Sequence, residues 1–123
     1  MLNLDTHMLV AVAAGDLSER EQAIVVKEEL AISDIVLWEL SKLVQLRRLD
    51  LDLDDPEFRQ VMLAVTVLPI TLEIARTSTQ LDFSSDPADE IIAATSIVER
   101  VPLLTRDRRI LKSRLVPFPF SGS

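Results

Sequence analysis

A chain of 123 residues is the length of one domain, and 48% hydrophobic residues with eight glycines and prolines in all make a packed core, which excludes disorder and low-complexity scaffolds. No cysteine is present, so disulfides and thiolate metal sites are excluded; the absence of a basic leader or a long apolar run predicts a cytoplasmic protein with no membrane span. A net charge of −7 works against a nucleic-acid partner, but six of the 13 basic residues fall between Arg100 and Arg114 around a lone acid, Asp107.

In chain order, MLNL reads as a short buried strand and THMLVAVAAG as a helix stopped by Gly15. Ser18 and Glu21 form an S-x-x-E capping box that opens a helix to about Leu30, and AIS is a brief strand. The apolar stretch from Asp34 to about Leu46 reads as a buried helix ending in Arg47 and Arg48. Pro56, behind Asp54 and Asp55, begins a helix to about Ala64. AVTVLPI is a β-branched strand, TLEIARTSTQL a helix, and Asp86 with Pro87 starts the next helix. VPLL is a fourth strand ending at Thr105, RDRRILK a short basic helix and RLVPF a fifth strand. Residues 1–120 are expected to form a single domain and residues 121–123 a frayed tail. This alternation predicts an α/β fold with a mostly parallel sheet covered on both faces.

In open parallel sheets, ligands bind beyond the carboxyl ends of the strands. Asp5 follows the first strand and Thr105 with Asp107 follows the fourth, so both lie on that edge. Each acid also has an ordinary structural reading. Asp5 suits a helix N-cap; Asp86 and Asp89 suit the N-cap and N3 positions of one helix; Asp107 suits an ion-pair network with Arg106, Arg108, Arg109 and Arg114. Glu39 is harder to explain that way, because its helical neighbours Ile35, Val36, Leu40 and Leu43 turn it toward the core, where a carboxylate needs a cation. Oxygen-only ligation without a His or Cys cluster suits Mg²⁺ or Mn²⁺ rather than zinc. His7, the lone histidine, is read as packed or hydrogen-bonded, with catalysis as the lesser alternative.

The segments LNLDTH, IVLWEL, DPADEIIAATS and LLTRD, in that order, resemble the PIN-domain ribonucleases, and most closely the VapC-type toxins of toxin–antitoxin pairs. The resemblance implies a PIN-like three-layer α/β/α sandwich with a five-strand sheet. It also implies an Mg²⁺-dependent ribonuclease, with Mn²⁺ as a substitute, whose acids are Asp5, Glu39, Asp89 and Asp107, accompanied by Thr6 and Thr105. A cognate antitoxin and a homodimer follow from the same resemblance. Arg106, Arg108, Arg109 and Lys112 are candidates to neutralise RNA phosphates. Two other readings stay open: a phosphoacceptor receiver-like domain, and a non-catalytic interaction protein with a degenerate acidic site.

The run DLDLDD imitates a calcium loop but has Asp55 where that loop needs glycine and Val61 where it needs glutamate. Trp38 is expected in the core, and the Leu- and Val-rich segments are read as mostly core with some excess for a partner chain.

Overall fold

The computed structural model describes residues 1–120; the expected frayed tail, 121–123, lies outside the described residues. Four strands and seven helices follow one another as β1 (Leu2–Leu4), α1 (Thr6–Ala14), α2 (Glu19–Val25), β2 (Leu30–Ser33), α3 (Ile35–Gln45), α4 (Pro56–Ala64), β3 (Thr66–Leu68), α5 (Leu72–Thr77), α6 (Pro87–Glu99), β4 (Leu103–Leu104) and α7 (Arg108–Leu111). The sheet has the order β3-β2-β1-β4 and every pairing is parallel. Successive residues Leu2, Asn3 and Leu4 of β1 are all buried, and strand side chains alternate between faces, so helices cover both faces.

Local chemistry accounts for most boundaries. Asp5 caps α1 by accepting the Met8 N–H at 2.8 Å, and Gly15 ends that helix at φ 70°, a conformation that costs a side-chain-bearing residue more. The Ser18–Glu21 capping box forms in both directions. Asp55 accepts the Phe58 N–H ahead of α4, with Pro56 at its start. Helix α2 stops at Val25, short of the expected Leu30, because Leu30 is taken into β2 opposite Leu2. Helix α5 stops at Thr77, since the hydroxyls of Ser78 and Thr79 bond back to the carbonyls of Ala75 and Arg76 and compete with helix continuation.

Two expectations fail. RLVPF is not a fifth strand: the Leu103 N–H donates to the Pro117 carbonyl at 2.9 Å, but Pro117 and Pro119 lack the N–H groups a ladder would need. Trp38 is 56% exposed rather than core, because Val36 and Leu40 define the buried side of α3 and residue 38 falls opposite them. Leu37, Leu46, Leu63 and Leu72 are also exposed, so part of the apolar excess does reach the surface.

The core is built from Leu2, Leu4, Leu9, Ile32, Val36, Ile92, Leu103 and Leu104, with the polar side chains of Asn3 and Ser96 buried among them. Asn3, fully buried in β1, donates from Nδ2 to Ser96 Oγ at 2.9 Å and to the Ile92 carbonyl at 3.3 Å. These bonds fix α6 lengthwise along β1, and therefore fix Asp89, on α6, relative to Asp5 at the end of β1. Asn3→Ala removes both bonds and strands the Ser96 hydroxyl, so urea unfolding should show a loss of about 2 kcal/mol with an unchanged m-value.

Candidate active site

The chain passes from β1 to β2 to β3 on one side, then returns to place β4 on the other side of β1. The crevice between the carboxyl ends of β1 and β4 is thus the topological switch point. Asp5 follows β1 there and Thr105 follows β4, in consequence of the register that pairs Leu4 with Leu104. Thr105 Oγ1 donates to Asp5 Oδ2 at 2.5 Å and accepts the Asp107 N–H at 3.1 Å. On the other side, Thr6 Oγ1 donates to Glu39 Oε1, tying α3 to the start of α1. Ser85 Oγ donates to Asp89 Oδ2 at 3.0 Å at the head of α6.

Asp5 is only 5% exposed. Burial pushes its carboxyl above the ordinary carboxylate range; the Thr105 hydroxyl, the Met8 N–H and nearby His7 oppose the rise, and Asp89 adds to it. The Asp89 carboxyl is raised as well, first by burial and then by the negative charges of Glu39, Asp107 and Asp86, with the Ser85 hydroxyl opposing. Asp89 is thus coupled to Asp5, Glu39 and Asp107, which lie on elements far apart in sequence. The ion pairs among the described residues, Met1–Glu28 and Arg106–Glu21, involve none of the four.

Several expectations are corrected here. Asp86 occupies the N-cap position of α6 but its side chain makes no capping bond; Ser85 instead engages Asp89 and donates its N–H to Glu90 Oε2 at 3.3 Å. Asp107 has no ion-pair network: it caps α7, accepting the N–H groups of Arg109 and Ile110. His7 is exposed beside Asp5 and neither packed nor hydrogen-bonded among the described residues. The Arg106 guanidinium, about half exposed, is bonded to Glu21 and to the Asp16 carbonyl. Arg108, Arg109 and Lys112 are exposed, and Arg109 also donates to the Ser84 carbonyl at 3.3 Å. Ser85 was not anticipated, although a Ser just before an Asp-Pro helix start is a legible capping signal.

The donor set suits a hard divalent cation: carboxylates, two of them raised by burial and by neighbouring negative charge, with no salt bridge to any of the four among the described residues. No three carboxylate or imidazole groups among the described residues stand ready to share one ion, so the arrangement is not an all-protein cage. Mg²⁺ does not ask for one, since it keeps several waters and binds through one or two carboxylates and substrate phosphate. A cavity of about 510 Å³ adjoins the site at Thr105 but takes in none of the four acids; Glu21, Arg106 and Phe118 are among its walls.

The family model described as the PIN domain matches residues 3–114. Ribonuclease VapC22 of Mycobacterium tuberculosis is 35% identical over 96 residues, which cover 76% of this chain and 74% of that protein. Among solved structures, a toxin–antitoxin complex from Klebsiella pneumoniae has a similar fold, with a TM-score of 0.69 at 20% identity over 98% of both chains. VapBC2 from Rickettsia felis, bound to a DNA fragment from its promoter, also reaches 0.69, at 16% identity over 96% of this chain and 97% of that one. The structural likenesses carry the fold, a PIN-like α/β sandwich with four strands here instead of five. With a family match over nearly the whole chain and a 35% identical relative, the receiver-like reading is set aside: this chain belongs to the PIN-domain family, as a VapC-type member.

Proposed function

We propose that this protein is a Mg²⁺-dependent ribonuclease that hydrolyses RNA phosphodiester bonds in the cytoplasm, as the toxin of a toxin–antitoxin pair. One observation carries the reading: Asp89 is repelled by Glu39, Asp107 and Asp86, and Asp5 by Asp89, at a topological switch point where none of the four acids forms a salt bridge among the described residues. Such a group gains stability from a divalent cation. The ribonuclease role comes from the named activity of the VapC22 relative, and the antitoxin partner from the complexes that share the fold.

Asp5 and Asp89 would hold the cation, with Glu39 and Asp107 holding a second ion or orienting water. When bound, such an ion supplies Lewis acidity toward a phosphate oxygen and makes water more acidic. The protein's own contribution is orientation. Asp5 keeps acceptor capacity after its bonds to Met8 and Thr105, because an ionised carboxylate has about four lone-pair sites. Thr105 and Thr6 fix the rotamers of Asp5 and Glu39 without neutralising them, since a hydroxyl donates a proton in a hydrogen bond but carries no charge. Arg108, Arg109 and Lys112, exposed around α7, would neutralise phosphates flanking the cleaved bond. The exposed Leu37, Trp38, Leu63 and Leu72 on α3, α4 and α5 offer apolar surface for an antitoxin and a second copy of the chain. No helix among the described residues is long and apolar enough to cross a membrane.

Asp5→Asn should reduce cleavage of RNA to 5′-phosphate fragments by about 10²-fold or more, while the fold persists by circular dichroism. Undiminished cleavage would refute the catalytic assignment and favour a non-catalytic interaction protein. A second expectation concerns stability. The Asp89 carboxyl binds its proton more tightly folded than unfolded, so its ionisation weakens the fold as pH rises above the ordinary value of 3.8. In chelator, Asp89→Asn should therefore melt at the same temperature as the native chain below that pH and at a higher one near neutrality. Added Mg²⁺ should raise the native melting temperature and leave Asp89→Asn nearly unmoved. Calorimetric scans across pH, with chelator and with Mg²⁺, check both; identical responses from the two proteins would contradict them.

A further inference from the structure

The segment from Thr105 to Asp107 carries two of the groups assigned to the site, and successive side chains in it make contacts in different directions. Thr105 turns inward to Asp5 and receives the Asp107 N–H. Arg106, between them, reaches outward to the start of α2. There its Nε donates to Glu21 Oε2 at 2.9 Å and its terminal nitrogen to Glu21 Oε1 and to the Asp16 carbonyl, both at 2.7 Å. Glu21 is itself held: its Oε1 accepts the Ser18 N–H at 2.9 Å and its N–H donates to Ser18 Oγ. The fork is thus a rigid two-bond clamp onto a capped helix end, 85 positions away in sequence. The cavity of about 510 Å³ is lined by Glu21, Thr105 and Arg106, so open space adjoins the segment on this side and packing alone does not hold it.

We propose that Arg106 and Glu21 are a positioning pair for the acidic site: their fork sets the 105–107 segment so that Thr105 orients Asp5 and Asp107 faces the remaining acids. Neither residue touches the reacting atoms. The inference rests on the reading of the acids as a site of RNA cleavage. It replaces the direct phosphate contact expected of Arg106 with a structural duty, and it gives Glu21 a role in catalysis. Arg106 holds the Glu21 carboxyl down at about 2, consistent with a fork that stays closed through the physiological range.

Steady-state RNA cleavage with Mg²⁺, well below the melting temperature, tests this with Glu21→Gln, Arg106→Gln, the double variant and Ser18→Ala. Each single variant should lower kcat about 10-fold with KM nearly unchanged, and the double should be no worse than either, since one clamp is lost in all three. Ser18→Ala removes only the bond from the Glu21 N–H and keeps the Ser18 N–H on Glu21 Oε1, so it should lose melting temperature and retain kcat. A full kcat in Glu21→Gln, multiplying effects in the double variant, or a rise in KM confined to Arg106→Gln would overturn the proposal; the last would make Arg106 a phosphate contact. Should Glu21→Gln not fold, Arg106→Lys decides: it keeps the charge and loses the fork, so a reduced kcat supports positioning and a full kcat refutes it. Asp5→Asn separates the two failures. Cleavage that survives it removes the site and the pair together, whereas cleavage lost there but intact in Glu21→Gln removes only the pair.

Discussion

The rest of the structure depends on holding a carboxyl group at the end of a buried central strand. Asp5 sits where β1 stops, between β2 and β4, and burial alone favours its neutral form. Three features oppose this. The first turn of α1 supplies an N–H and the positive end of a helix dipole, β4 supplies the Thr105 hydroxyl, and His7 lies close by. The second feature is a register effect: Leu4 opposite Leu104 is what puts Thr105 beside Asp5, and a slip of one residue would turn the hydroxyl to the other face. The strands that look like mere core therefore hold the geometry of the charge.

The partners chosen for these acids are as informative as the acids. Thr105 serves Asp5, Thr6 serves Glu39 and Ser85 serves Asp89. Hydroxyls fix a carboxylate in place while leaving its charge uncompensated, whereas an arginine would neutralise it. The guanidinium of Arg106, next to Thr105 in the chain, pairs instead with Glu21. A fold optimised for stability alone would pair these charges or replace them with apolar residues. Leaving several acids to repel one another lowers stability in the apo protein, and such local conflicts concentrate where function demands them.

Much of this was legible in the sequence where the signal was local. The Gly15 stop, the Ser18–Glu21 box and the Asp55-Pro56 start are governed by neighbours within a few residues, and each was found where it was read. Glu39 was placed at the rim of the core by helical spacing, and it lies there, half-buried against Thr6. The misses have a different character. The same spacing turns Trp38 outward, opposite Val36 and Leu40, against what its apolar character suggests. RLVPF has strand composition and lacks strand donors. Arg106 could be seen to be basic, but its partner is 85 positions away and nothing local names it. Asn3 went unremarked for the same reason, since its bonds to α6 appear only once the strand and helix are packed.

Charge geography brings these strands together. A net charge of −7 with several acids at one crevice disfavours a polyanion there, while the basic residues of α7 place positive charge beside it. Asp107 sits at that boundary: it begins α7 by accepting the N–H groups of Arg109 and Ile110, and it adds its negative charge to the field at Asp89. The same short segment therefore carries positive charge outward and negative charge inward. Only a cation at the acids reverses the inner sign. In this reading RNA engagement and metal occupancy are linked by electrostatics, and the rigid placement of residues 105–107 matters because it holds the two opposing fields a few residues apart.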